Sequence, residues 1–165
     1  MSLTKSPPIA ALKRWIKASI KKELTKWLQG GPVFIEGEDR STSKDPQHYE
    51  LRIDGPYLRP IGSNRDYCAY IEVNILASST RDESNVYGRE NLQGQMQYAL
   101  NRDICIYRTG NVGKDEADTE TQIGVMQLLP VDQIKVSDFG MIDTNTEIYQ
   151  AVAEAHYEMY FTLEP

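Results

Sequence analysis

Asp54 and Glu72 fall on consecutive predicted strands, and Asn74 follows two positions after the second acid. Two carboxylates so placed could hold Mg²⁺ and, with a lysine to help polarise the attacking water, hydrolyse a phosphodiester. The lysine's position is taken by Asn74, so the two acids read as ordinary solvent-facing groups, and a small metal-dependent hydrolase or nuclease stands only as an alternative. The two histidines, His48 and His156, each fall on the wet face of a predicted strand with no cysteine or second histidine at metal-ligand spacing, and both read as solvated surface residues. Ser63, Ser78, Ser79, Ser84 and Ser137 lie outside any Gly-x-Ser-x-Gly elbow, and neither a P-loop nor a Gly-x-Gly-x-x-Gly turn occurs. Cys68 and Cys105 stand 37 residues apart without a Cys-x-x-Cys and read as reduced thiols on strands in a cytosolic setting. No catalytic, cofactor-binding or metal-binding residue is assigned, and no enzyme activity is expected.

A chain of 165 residues is one domain's worth of protein, and residues 1–165 read as a single α/β domain. At this size roughly 70% of the unfolded chain's surface is buried on folding, so a hydrophobic core suffices without disulfides or metal clips. The apolar runs are far shorter than the roughly 18–20 residues that cross a bilayer, so no transmembrane helix and no membrane partner are expected. The segment MSLTKSPPIAALKRWIK has no apolar h-region and reads as no secretory signal.

Charge is unevenly placed. The net charge is −6, yet residues 1–30 carry seven basic side chains (Lys5, Lys13, Arg14, Lys17, Lys21, Lys22 and Lys26) against Glu23 alone. The remaining 135 residues hold 11 basic and 23 acidic side chains, so a basic helix sits on an acidic body. Lysines commonly occupy the solvated face of an amphipathic helix. They would also complement an acidic patch on a neighbouring copy and fix its register. Nucleic-acid binding by this helix is disfavoured, because the acidic body opposes phosphate contacts.

The elements that position these groups follow from periodicity. Ser6-Pro7-Pro8 opens a helix spanning about 7–29, with Ile9, Leu12, Ile16, Ile20, Leu24, Trp27 and Leu28 on one stripe and Gly30-Gly31-Pro32 as its stop. Val33–Ile35 is a short apolar run, and Glu36 to Gln47 an exposed loop. Tyr49, Leu51 and Ile53 alternate with polar residues as a strand, while Gly55 to Asn64 has turn chemistry whose prolines do not suit a central strand. Tyr67 to Ala77 alternates clearly and pairs antiparallel with the strand before it. Val86 to Leu100 reads as a helix, Ile104 to Tyr107 as a strand, and Asn111 to Thr121 as a mobile acidic stretch. Short strands follow around Ile123 to Leu129 and Ile134 to Phe139. Tyr149 to Leu163 keeps a strict period of two, which favours a long strand over a helix despite its alanines and glutamates.

This order predicts an α+β fold, a mainly antiparallel sheet with two helices on one face. The strands after the second helix exceed what a small sandwich needs, which leaves room for a β-hairpin projecting from the body. Of the ten tyrosines, about half are assigned to the core and the others to subunit contacts, where an amphipathic ring is a good anchor.

A helix built on IAALKRWIKASIKKELTKWL, a loop, alternating strands ending in YCAYIEVNIL, the linker SSTRDESNVYGREN, a second helix, the strand ICIY, an acidic excursion and closing strands follow one another. In element order, length and acidity, over about residues 8–164, the chain resembles the tail terminator and head-to-tail joining proteins of tailed bacteriophages. The resemblance implies a structural virion protein, assembled in the host cytoplasm, whose copies form a six-membered ring that caps the tail tube and meets the head connector. DNA would pass through the pore without specific binding, helped by a lumen of like charge. The partners so implied are copies of the chain itself, a tail tube protein and a head connector protein. Because ring contacts are heterologous, the basic helix and acidic body could meet between copies, with contacts expected at Lys13, Lys17 and Lys21 and at Asp115, Glu116 and Asp118. Another tail or baseplate subunit, or a bacterial adaptor that binds a protein partner, are the neighbouring readings.

Overall fold

The computed structural model describes residues 8–38, 47–62, 66–79, 86–108, 121–129, 134–143 and 148–162. Its elements run α1 (Pro8–Thr25), β1 (Val33–Ile35), β2 (Gln47–Pro60), β3 (Asp66–Ser79), α2 (Val86–Leu100), β4 (Ile104–Arg108), β5 (Thr121–Leu128), β6 (Lys135–Asp143) and β7 (Ile148–Thr162). The expected α+β architecture is present: a seven-stranded sheet in the order β1-β2-β3-β7-β5-β4, with β6 also paired to β7.

The centre of the sheet is the antiparallel pair β3–β7, in register from Asp66↔Thr162 to Ser79↔Tyr149. Alternation puts Ala69, Ile71, Val73, Ile75 and Ala77 on the same side as Ala151, Ala153, Ala155, Tyr157 and Met159, and all ten are fully buried. Both helices cover this side. The stripe Leu12, Ile16, Ile20, Leu24 and Leu28 is buried along α1, and Leu92, Met96, Ala99 and Leu100 along α2. Three core tyrosines tie helices to sheet through their hydroxyls. Tyr49 donates to the Gln29 carbonyl at 2.7 Å, Tyr157 to the Leu100 carbonyl at 2.5 Å, and Tyr149 accepts from Gln93 Nε2 at 2.8 Å. The long closing strand, including its alanine-rich part, is therefore a strand because every second side chain is needed in this core.

Three details depart from the sequence reading, and β1, expected only as a short apolar run, adds a fourth feature. α1 ends at Thr25, not near residue 29, because the amides of Lys26 and Trp27 turn to carbonyls three residues back and tighten the last turn. The segment from Gly55 to Pro60, expected as a turn, continues β2. A bulge between Asp54 and Tyr57 takes Gly55 and Pro56 out of the ladder, and β1 pairs only with Tyr49–Leu51, so the prolines fall where the outer edge is unpaired. Gly55 has φ 106°, and a Cβ there would lie 2.6 Å from the Tyr70 carbonyl oxygen, so only glycine fits. β1 runs parallel to β2, the exception in an otherwise antiparallel sheet.

The third departure concerns the projecting hairpin. β4 and β5 do form a hairpin, and β5 reaches β7 only through Gln127↔Glu158 and Leu128↔Tyr157, while β6 takes the rest of that edge. Instead of projecting, the described part of the hairpin packs on α1: Ile104 and Ile106 are buried, and the Tyr107 amide donates to Ser19 Oγ at 3.0 Å. Residues 39–46 and 109–120, which include Asp115, Glu116 and Asp118, lie outside the described residues.

Burial pushes the Tyr49 and Tyr157 hydroxyls above the ordinary phenol range. In the unfolded chain they ionise near pH ~10. The native state holds these protons more tightly, so their contribution is complete below that value and is lost as pH rises beyond it. Urea unfolding followed by tryptophan fluorescence should therefore show stability falling above pH ~10, and less steeply in Tyr157→Phe. At neutral pH that variant should lose only about 1 kcal/mol, since the Leu100 carbonyl keeps its bond from the Arg102 amide. An unchanged alkaline slope in the variant would contradict this.

Candidate functional site

The even positions of β3 and β7 point away from the helices; Cys68 and Ser78 are buried there, Glu72, Asn74, Glu154, His156 and Glu158 are half-buried, and Tyr70 and Tyr160 are exposed. Cross-strand pairing arranges this open face in rows: Arg52, Asn74, Glu154 and Lys135; Asp54, Glu72 and His156; Tyr57, Tyr70 and Glu158; Arg59, Cys68 and Tyr160. Carboxylates outnumber cations on it, and Asp54 stands directly opposite Glu72. Like charges so placed are destabilising unless something intervenes. The aromatic rings of Tyr57, Tyr70 and Tyr160 stand exposed beside them.

At the middle of the face Glu72, Glu154 and His156 bring one oxygen, one oxygen and one ring nitrogen within 4.8 Å of one another. Glu72 and His156 are a cross-strand pair, and Glu154 lies two residues before His156, so all three side chains leave the same side of adjacent strands. His156 Nε2 lies 2.7 Å from Glu154 Oε1, and Nδ1 lies 3.2 Å from the Tyr70 hydroxyl. Asn74 Nδ2 donates to Glu72 Oε1 at 3.3 Å. With a side chain only 17% exposed and both ring nitrogens engaged, His156 is not the solvated residue that its place in the sequence suggested. His48 is also half-buried, its ring edge-on to Phe34.

The acidic pair considered from sequence is redistributed. Asp54 does face Glu72 across β2–β3, but its carboxylate accepts the Tyr57 hydroxyl at 2.6 Å, which raises the Tyr57 phenol above its ordinary range. Glu72 instead belongs with two β7 residues more than eighty positions away. Glu154-x-His156 in an alternating strand was the available signal, but only the register reveals its partner.

On the opposite side of the molecule, α1 presents its cations. Lys13 is exposed and Lys17 half-buried, with no ion-pair partner among the described residues. Lys21 is already engaged: its ammonium sits 3.0 Å from both oxygens of Glu38, so it is a poorer contact candidate than the sequence implied. Lys26 pairs with Glu23 at 3.2 Å. Nearby, the Arg102 guanidinium lies 3.7 Å from the centre of the Trp27 ring and 5.2 Å from that of Tyr98. It is held there by bonds to the Ala99 and Tyr98 carbonyls. Trp27 and Tyr98 remain 36% and 61% exposed, so this stacked cluster is a preorganised aromatic surface.

No described helix is long and apolar enough to cross a membrane. No protein-family model matches the chain, and no curated protein matches it in sequence.

The two thiols differ in environment. Cys105 is exposed on β4, whereas Cys68 is buried on β3, where burial first and the Glu158 carboxylate second push its thiol up. An aromatic disulfide reagent should label one thiol rapidly and the second at least tenfold more slowly, and Cys105→Ser should remove the fast phase. Equal rates would place Cys68 in a more open setting than described.

Proposed function

We propose that the protein is a structural ring subunit, a phage tail terminator or head-to-tail joining protein in the sense of the resemblance above. The observation that carries this reading is the charge polarity across one sheet: the cationic outer side of α1 lies on the helix-covered side, and the carboxylate-rich open face lies on the other. Two complementary surfaces on opposite sides of one chain cannot satisfy each other within that chain. They meet only between copies, and such head-to-tail contacts close into a ring when the rotation between neighbours permits.

Exposed Tyr57, Tyr70 and Tyr160 on one side and the Trp27–Tyr98–Arg102 cluster on the other supply the rigid aromatic anchors that interfaces favour. Excess carboxylate left facing the pore would keep DNA from adhering while it passes. In this reading the remaining surfaces of the ring meet the tail tube and the head connector, the particle is the virion, and no chemical step is required of the subunit.

Analytical ultracentrifugation tests the contact. At low salt the wild type should associate into a closed species of fixed mass, and Lys13→Glu with Lys17→Glu should weaken association by roughly tenfold or more. Adding Asp54→Lys and Glu158→Lys to those reversals should restore much of it, and raising the ionic strength should shrink the difference. A wild type that stays monomeric at every concentration, or a reversal that assembles unchanged, contradicts the reading.

A further inference from the structure

We propose that Glu72, Glu154 and His156 bind one divalent transition-metal ion of the zinc class. The inference does not depend on ring formation, since every ligand comes from a single chain and from its two best-paired strands.

Three features point to a cation. The ligand atoms lie within 4.8 Å of one another, and donors bound at about 2.0–2.2 Å to a tetrahedral ion stand roughly 3.4 Å apart, so small side-chain rotations reach that spacing, with the Glu154–His156 pair opening from 2.7 Å. The strands themselves need not move. Second-shell partners are at hand: His156 Nε2 donates to Glu154 Oε1 at 2.7 Å, and when an ion displaces that proton the Tyr70 hydroxyl, 3.2 Å from Nδ1, can accept from the Nδ1–H tautomer, while the Asn74 amide orients Glu72. Charge gives the third argument. Glu72 faces Asp54 on one strand and lies diagonally from Glu154 on the other; Arg52 is paired with Glu50, so Lys135 opposite Glu154 and one imidazole face three carboxylates, which leaves negative charge in excess.

The donor set selects the metal. Mg²⁺ and Ca²⁺ favour all-oxygen shells, whereas an imidazole with carboxylates suits zinc and its neighbours. Glu154 is 32% exposed, so solvent can reach the cluster and water can complete the coordination sphere.

The test is titration of the metal-free, full-length Cys105→Ser protein with Zn²⁺ by calorimetry, the substitution removing the exposed thiol as a competing ligand. One ion per chain should bind, and equimolar Mg²⁺ should not displace it. His156→Gln and Glu72→Gln should each weaken binding more than tenfold, and Tyr70→Phe, which leaves all three ligands intact, by about tenfold. Circular dichroism of the metal-free variants establishes that they are folded. NMR of the unsubstituted chain gives a reading that needs no variant: Zn²⁺ should shift the His156 ring resonances and leave those of His48 in place. Absence of saturable binding, binding unaffected by His156→Gln and Glu72→Gln, or perturbation of His48 alone would overturn the proposal.

Discussion

The antiparallel register of β3 and β7 is the constraint on which the molecule rests. Side chains alternate with a period of two, so the fourteen residues of β3 against their partners on β7 decide at once which groups enter the core and which remain outside. A slip of one residue would carry Tyr70, Glu72 and Asn74 beneath the helices and bring Ile71, Val73 and Ile75 into water. β2 and β6 pair along these two strands, β5 joins β7 at its end, and both helices lie on the face the pair creates.

That sorting produces two dissimilar surfaces. Beneath the helices the side chains are small on β7 (Ala151, Ala153, Ala155) and branched on β3 (Ile71, Val73, Ile75), a complementarity that lets α1 and α2 lie close, while buried tyrosines carry their hydroxyls to the Gln29 carbonyl beyond α1 and the Leu100 carbonyl at the end of α2. On the far side the same strands gather carboxylates, an imidazole and exposed aromatic rings. The ion pair Lys21–Glu38 is more than a third exposed at both ends and contributes less than about 1 kcal/mol, so the stability of the layer comes from its apolar stripe. Lys13 and Lys17, which have no ion-pair partner among the described residues, are available for another purpose.

How much of this could be read from the sequence depended on whether the signal was local. The α1 stripe, the alternation of β3 and the strand character of Tyr149 to Thr162 are periodicities within one segment, and they were legible. The continuation of β2 through Gly55 and Pro56 was not, because proline signals a break unless one knows that the strand's outer edge is unpaired there. The packing of β4–β5 on α1 rests on a long-range contact between Ser19 and Tyr107 that no local pattern encodes. For the same reason the grouping of Glu72 with Glu154 and His156 was hidden: each residue looked like an ordinary wet-face position until the register placed them side by side. Asn74, read as a missing lysine, became an orienting partner of Glu72.

The account holds that the cationic layer of one copy lies against the carboxylate face of the next. Zero-length carbodiimide cross-linking of a mixture of isotope-labelled and unlabelled chains tests this most directly, since it joins amines only to carboxylates in contact. Peptides linking Lys13 or Lys17 of one isotope to Asp54 or Glu158 of the other are the predicted result, alongside the single-isotope Lys21–Glu38 link that the fold itself supplies. Recovery of that internal link alone, from a sample that has assembled, would contradict the account.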